Sequence, residues 1–447
     1  MYKKIILLLA FTISVNAFSQ EQSYSFNLQE AIDFALENNR TAKNASQNVE
    51  AAEKQKWETI STGLPQISAN IDYQNWIQQQ ISLIPAEFFG GNPGDFAEIA
   101  FGTKQSMIAS ARLEQKIFDG SYIVGLQSTK VYLEISNNAK VKTDLEVRKA
   151  VINAYGNVLL AEESVIILER NQSALQKNLT EITKIFENGL EEEESVEQLQ
   201  ITLSNIENAL KNTKRLKDLA YQMLNITLGI DVNASLTLTD NLESLANQFT
   251  ALSILDSDIN VENTIDYRIA ENDLLSKELL VKLEKSKALP TINAFVNGSY
   301  TGYSDQFTFA NKSEKWFGAS LLGVNMKIPI FSFGGRGAST QRAKINLEIS
   351  KNELTETEQK LKLQIASAKS EYQFSIEDHE NKTQNLKLAE RIEAKNQTKF
   401  FEGIASSFDL RQAQLQLYTA QQEYLKSMFD VITKKTELET ILNTPSY

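Results

Sequence analysis

The sequence predicts a mainly α-helical protein with a small β part, in which long antiparallel coiled-coil hairpins are joined to four strands in each chain. Three observations carry this expectation. Gly (18) and Pro (6) make up about 5% of the 447 residues, well under their usual share of roughly 12%, and a chain so poor in turn formers is mostly helix. Short segments with strict apolar alternation each precede a long stretch without Pro. The whole arrangement then occurs twice, with the hairpin motifs, such as Phe186 and Phe400 or Gly189 and Gly403, at an offset of 214 residues.

The first segment, Met1 to Ser19, has Lys3 and Lys4, an apolar run from Ile5 to Val15, and Ala17 and Ser19 at a small-residue cleavage site. This predicts a secretory signal peptide, since the apolar run falls short of the roughly 20 residues a spanning helix needs. Loss of Lys3 and Lys4 with it takes the net charge from −12 to −14, which argues against nucleic acid or an anionic lipid surface as partner. No later stretch reads as long and apolar enough for a transmembrane helix, so residence in a membrane would require a β-barrel. Asn27 to Asn39 predicts an amphipathic helix with Leu28, Ile32, Ala35 and Leu36 on one face and Asn27 as N-cap.

Each repeat opens with a strand pair. Ile67, Ala69, Ile71 and Tyr73 alternate with Ser68, Asn70, Asp72 and Gln74, and Met107, Ala109, Ala111 and Leu113 with Ile108, Ser110, Arg112 and Glu114. In the second repeat Ile292, Ala294, Val296 and Tyr300 form one such set and Leu322, Val324, Met326 and Ile328 the other. Period-two alternation over about ten residues fits strands between an apolar and a polar environment, at the length a tilted membrane strand needs. A soluble sandwich would show the same alternation. Four strands cannot close a barrel, for which roughly eight is the minimum, so a barrel would have to be built from several copies.

The helical stretch from Gly120 to Gly189 would rise about 100 Å, too long for a compact domain. On the return, Val196, Leu203, Leu210 and Leu224 fall at period seven, with Leu199, Ile206 and Ala220 on a second seam. Leu410, Leu417, Tyr424, Val431 and Leu438 repeat the first seam, and Ala413, Ala420 and Ile441 the second. Heptads of this kind predict antiparallel coiled-coil hairpins, with Gly189 and Gly403 at the tips. The chain is thus divided into a signal peptide (1–19), a first repeat (20–228), an equatorial linker region (229–260) and a second repeat (261–447).

With Cys absent and one His, His379, the composition excludes disulfides, thiolate zinc sites, Cys nucleophiles and multi-His metal centres. His379 is expected on the surface, and no cofactor, metal site or catalytic constellation is expected. Phe331 to Gly337 is rich in glycine but lacks the GK[ST] ending of a phosphate loop, and is better taken as a strand-to-helix turn. Trp76 and Trp316 suit either an aromatic girdle or buried packing. Ile84 to Phe101 suits a surface loop, its Pro and Gly breaking any strand.

The ordered set of duplicated motifs resembles the TolC family of trimeric outer-membrane efflux proteins. The features are LQEAIDFALENN, both Leu-Pro strand starts, IPIFSFGGR, and the two FxxG hairpins with their trailing heptads. The resemblance implies a homotrimer with a twelve-stranded barrel in outer-membrane lipid and an α-barrel tunnel through the periplasm. It implies an exit duct for efflux or type I secretion, working passively with a periplasmic adaptor (membrane fusion) protein and an inner-membrane pump of RND or ABC type. Gly189, Leu190, Gly403 and Ile404 fall on the family's adaptor-docking tips, and Asp409 on a position whose carboxylates ring the tunnel entrance. Gln412 stands where a second aspartate would complete a double ring, Ser195 where an acid would join the closing network, and Ala405 in place of its basic partner. Glu191, Glu192, Glu193 and Glu194 are candidates for a substitute acidic collar, or alternatively a solvated helix start favoured by the macrodipole. A periplasmic coiled-coil scaffold without a channel is the competing expectation.

Overall fold

The computed structural model describes residues 23–255 and 260–444; the predicted signal segment, Met1 to Ser19, lies outside them. The elements run β1 (Tyr24–Phe26), α1 (Leu28–Asn38), α2 (Arg40–Ser61), β2 (Gln66–Asn75), β3 (Ile81–Pro85), β4 (Phe96–Ala100) and β5 (Gln105–Asp119). They continue α3 (Gly120–Glu187), α4 (Glu193–Leu228), β6 (Leu236–Leu238), α5 (Leu242–Phe249), α6 (Ile265–Ser286), β7 (Thr291–Ser304), β8 (Trp316–Lys327), α7 (Gly335–Phe401) and α8 (Ser407–Leu442). The duplication shows in the helix lengths: α3 and α7 have 68 and 67 residues, and both return helices have 36.

The chain divides into two compact units. One, made of residues 50–135 and 272–352, contains a four-stranded antiparallel sheet in the order β2-β5-β7-β8. Its register lines up the alternating sets of all four strands. Ile67, Leu113, Val296 and Leu322 form one row across the sheet, and Ile71, Ala109, Tyr300 and Gly318 another on the same face. Ile67, Ile71, Leu322 and Val324 are each about 70% exposed, so this unit leaves its apolar face uncovered. The segment expected to be a loop, Ile84 to Phe101, instead carries the hairpin β3–β4, paired from Ile81↔Ala100 to Pro85↔Phe96. Gly90, Gly91, Pro93 and Gly94 sit in the connection between the strands and Pro85 at the very end of β3, where they break nothing.

The other unit holds α1, the central segment, most of α3 and α7, and both return helices. Helix α1 begins with a capping box, Asn27 Oδ1 accepting from Glu30 N at 2.8 Å while Glu30 Oε2 accepts from Asn27 N at 2.9 Å. Strand β1 pairs in parallel with β6. Two buried tyrosines fasten these segments to the long helices: Tyr155 OH donates to Asp240 Oδ2 at 2.9 Å and Tyr372 OH to the Phe249 carbonyl at 2.6 Å. Both hydroxyls, buried and facing carboxylate charge, are held well above the usual tyrosine range.

Most heptad residues behave as spaced, while Ile206, Leu417, Tyr424 and Ile441 are partly buried. Val196, Leu199, Leu203, Leu210, Ala220 and Leu224 of α4 are buried, as are Leu410, Ala413, Ala420, Val431 and Leu438 of α8. One expectation needs correction: by length and composition α3 does contain an 18-residue window apolar enough to cross a membrane. Its apolar residues have a protein partner, since Val151, Ile152, Tyr155, Val158 and Leu159 are buried in the main core. His379 is also corrected: it is half-buried, with Nδ1 at 2.9 Å from Ser427 Oγ and the ring stacked on Tyr424, and burial lowers its pKa.

Candidate functional site

The two ends of the coiled-coil hairpins are built on one backbone plan. At Gly189 φ is 75° and at Gly403 it is 74°, the left-handed region that L side chains rarely adopt. Gly189 N donates to the Phe186 carbonyl and Leu190 N to that of Ile185; Gly403 N and Ile404 N repeat this to Phe400 and Lys399. These are matching Schellman-type caps that end α3 and α7 and turn the chain back. Nothing lies within 4 Å of where a Cβ would sit at either glycine. Leu190 and Ile404 follow in the open, 78% and 71% exposed. Beneath them Leu175, Ile182, Val196, Leu199 and Leu203 of the first hairpin pack with Phe400 and Leu410 of the second.

The side chains around the tips differ. Helix α8 starts on a capping box: Ser406 Oγ accepts from Asp409 N at 3.2 Å, and Asp409 Oδ2 accepts from Ser406 N at 3.0 Å and from its hydroxyl at 2.7 Å. Those bonds favour the ionised carboxylate and hold Asp409 below the usual aspartate range. Helix α4 has Glu192 at its N-cap with no side-chain bond, followed by exposed Glu193 and Glu194 in its first turn. Glu194 accepts from Gln198 Nε2 at 2.7 Å.

Glu191 does something else. Its Oε1 accepts from the buried Ser195 hydroxyl at 2.6 Å, and Ser195 Oγ lies 2.7 Å from Ser407 Oγ of the second hairpin. Because the one Ser195 proton goes to Glu191, Ser407 must be the donor in the second bond. The result is a directed chain, Ser407 to Ser195 to Glu191, linking the two hairpins. Gln412 is exposed and lines a shallow groove with Ile392, Leu415 and Glu423. Of the residues singled out from sequence, the structure joins Glu191 and Ser195 by a hydrogen bond. It leaves Asp409 bonded within its own helix start.

Sequence reasoning missed Ser407, and also the buried amides Asn171 and Asn178, which meet Gln421 at 2.9 Å and Gln397 at 3.3 Å across the hairpins. The signal for the amides was present: Asn171, Leu175, Asn178 and Ile182 alternate polar and apolar residues along one seam of α3. Among the described residues no group of three or more His, Asp or Glu could hold a metal ion.

The strand unit sorts its charge completely. Asp72, Arg112, Glu114, Lys116, Asp119 and Lys327 are the charged residues of β2, β5, β7 and β8, and the register puts all of them on the face opposite Ile67, Leu113, Val296 and Leu322. A face free of charge opposite a charged one is the pattern of strands in a membrane barrel, which are apolar toward lipid and polar toward a lumen.

Strands of this kind, with duplicated coiled-coil hairpins, give the chain a fold that it shares with solved outer-membrane channels. The crystal structure of CusC matches at TM-score 0.75, with 18% identity over 95% of each chain. The CmeC outer membrane channel of Campylobacter jejuni matches at 0.72, with 16% identity over 96% of this chain and 90% of the other. The open-state MtrE outer membrane channel of Neisseria gonorrhoeae matches at 0.70, with 17% identity over 93% and 88%. No curated protein matches the chain in sequence. Residues 263–444, about two fifths of the chain, match the model of the outer membrane efflux protein family.

Proposed function

We propose that the protein is the passive exit duct of a tripartite pump, acting as a homotrimer with a periplasmic adaptor and an inner-membrane pump. The observation that carries this is the open four-stranded sheet: β2 and β8 are edge strands within the chain, and its apolar face is uncovered. Three copies pairing β2 to β8 would close a barrel of the size needed for a pore and bury both edges. The scaffold alternative gives that face no partner. Repeats 20–228 and 261–447 each supply one strand pair and one hairpin in this reading.

The exposed tips Gly189-Leu190 and Gly403-Ile404 are the adaptor-docking surface, and Asp409 with Glu191 to Glu194 sets the charge at the entrance. Three copies bring three Asp409 carboxylates around one axis, a field that favours cations. The experiment is conductance of the purified protein in planar bilayers. The native channel should be cation-selective and blocked by trivalent cations. Asp409→Asn should weaken both, and adding Gln at Glu191 to Glu194 should abolish them; unchanged selectivity in the combined variant would remove these residues from the constriction.

A further inference from the structure

The polar face of the sheet carries an arrangement that the duct reading does not use. Arg112 of β5 lies flat on Phe295 of β7, its guanidinium carbon 4.1 Å from the ring centroid. Its Nε donates to Glu114 Oε2 at 3.3 Å. Phe295 is seated in turn on Gly323 of β8, its partner in register, where a Cβ would come within 2.5 Å of the ring. The absent side chain lets the ring lie against the wall. Stacking and the Nε bond together fix the guanidinium plane. No described residue accepts from its two terminal nitrogens, and the side chain is 44% exposed.

A guanidinium fixed at one edge and open at its terminal fork matches the two oxygens of a carboxylate. We propose that Arg112, mounted on Phe295 and Gly323, is a carboxylate-binding site on the lumen wall, a resting point for cargo that bears carboxylate groups. This deepens the exit-duct reading and rests on it, because it requires the polar face to line the pore. Glu114 occupies only the Nε side and cancels part of the long-range field. The site therefore acts by two-point contact at short range more than by steering.

The chain has no Cys, so one introduced thiol is a clean reporter. Asn297 is the register partner of Arg112 on the same face. Asn297→Cys in the full-length protein, reconstituted in lipid vesicles, would be modified with anionic and cationic methanethiosulfonates. The anionic reagent should lose about threefold of its relative rate on Arg112→Gln, the scale of one charge at this range. Acetate should slow it more than chloride at equal ionic strength. Arg112→Lys separates charge from geometry: it should keep the reagent preference and lose the acetate protection.

Equal protection by acetate and chloride, or protection that survives Arg112→Lys, would overturn the two-point site. A rate ratio unmoved by Arg112→Gln would overturn it as well. If the thiol reacts only with a membrane-partitioning maleimide, the polar face does not line a water-filled lumen and the duct reading itself fails. Reaction with water-soluble reagents that is insensitive to Arg112 sinks only the carboxylate site.

Discussion

The two hairpin tips have the same backbone and different chemistry. Gly189 and Gly403 agree within a degree in φ, and the same pattern of amide bonds closes both turns. Around that shared frame, the first tip opens onto four glutamates with no side-chain cap, whereas the second has the Ser406–Asp409 box and the exposed Phe408. The difference teaches which part of the duplicated unit does which job. A turn that must present one residue outward is fixed by the backbone, while the charge and stability of the following helix are set independently by its first turn.

The comparison can be broken most severely at the glycines. Gly189→Val and Gly403→Val each force a β-branched residue into the left-handed region, at a cost of order 1–3 kcal/mol, with no neighbour to clash with. If the tips dock an adaptor as equals, either variant alone should bring export in an adaptor-containing strain to background while oligomer yield is unchanged. Export intact in one variant would make the tips unequal.

A smaller effect is expected at the bridge between the hairpins. Ser195→Ala removes the middle of the Ser407–Ser195–Glu191 chain in a buried place, which should cost about 1–2 kcal/mol. Amide hydrogen exchange should rise around both residue 195 and residue 407. Faster exchange at the first tip only would mean that the 2.7 Å contact does not couple the hairpins.

The caps give the smallest and most contrasting changes. Ser406→Ala should loosen the start of α8 by about 1 kcal/mol, and Glu192→Ser should tighten the start of α4 by a few tenths to about 1 kcal/mol. Asp409 adds a pH signature. Its pKa is depressed by the bonds from Ser406, so its support of the cap is complete above the ordinary aspartate value and is lost as pH falls through the depressed one. Protection at residues 407–412, taken relative to the intrinsic exchange rate at each pH, should thus fall on acidification in the native protein and lose that step in Asp409→Asn.

Much of this was legible in the sequence because it is periodic. Alternation over about ten residues located all four strands of the sheet, heptads located both return helices, and duplication located the glycine turns that end α3 and α7. What was missed lacks a period or depends on distant partners. Strand β1 has three residues and pairs with β6 more than 200 positions away; β3 and β4 flank a Gly- and Pro-containing turn that resembles an irregular loop. The Ser406–Asp409 box could have been recognised as Ser-x-x-Asp ahead of an apolar run. The Ser195–Ser407 contact could not, since it depends on how two hairpins pack. His379 looked exposed beside Asp378 and Glu380, yet its ring turns inward to Tyr424 and Ser427.

If the charge-free sheet face with its two open edges forms one third of a membrane barrel, three copies must assemble. Native mass spectrometry of the detergent-extracted full-length protein tests it most directly. A barrel closed by three copies should give a single species of three mature chains that survives gentle activation in the gas phase. A stable, detergent-soluble monomer would leave both sheet edges unpaired and contradict it.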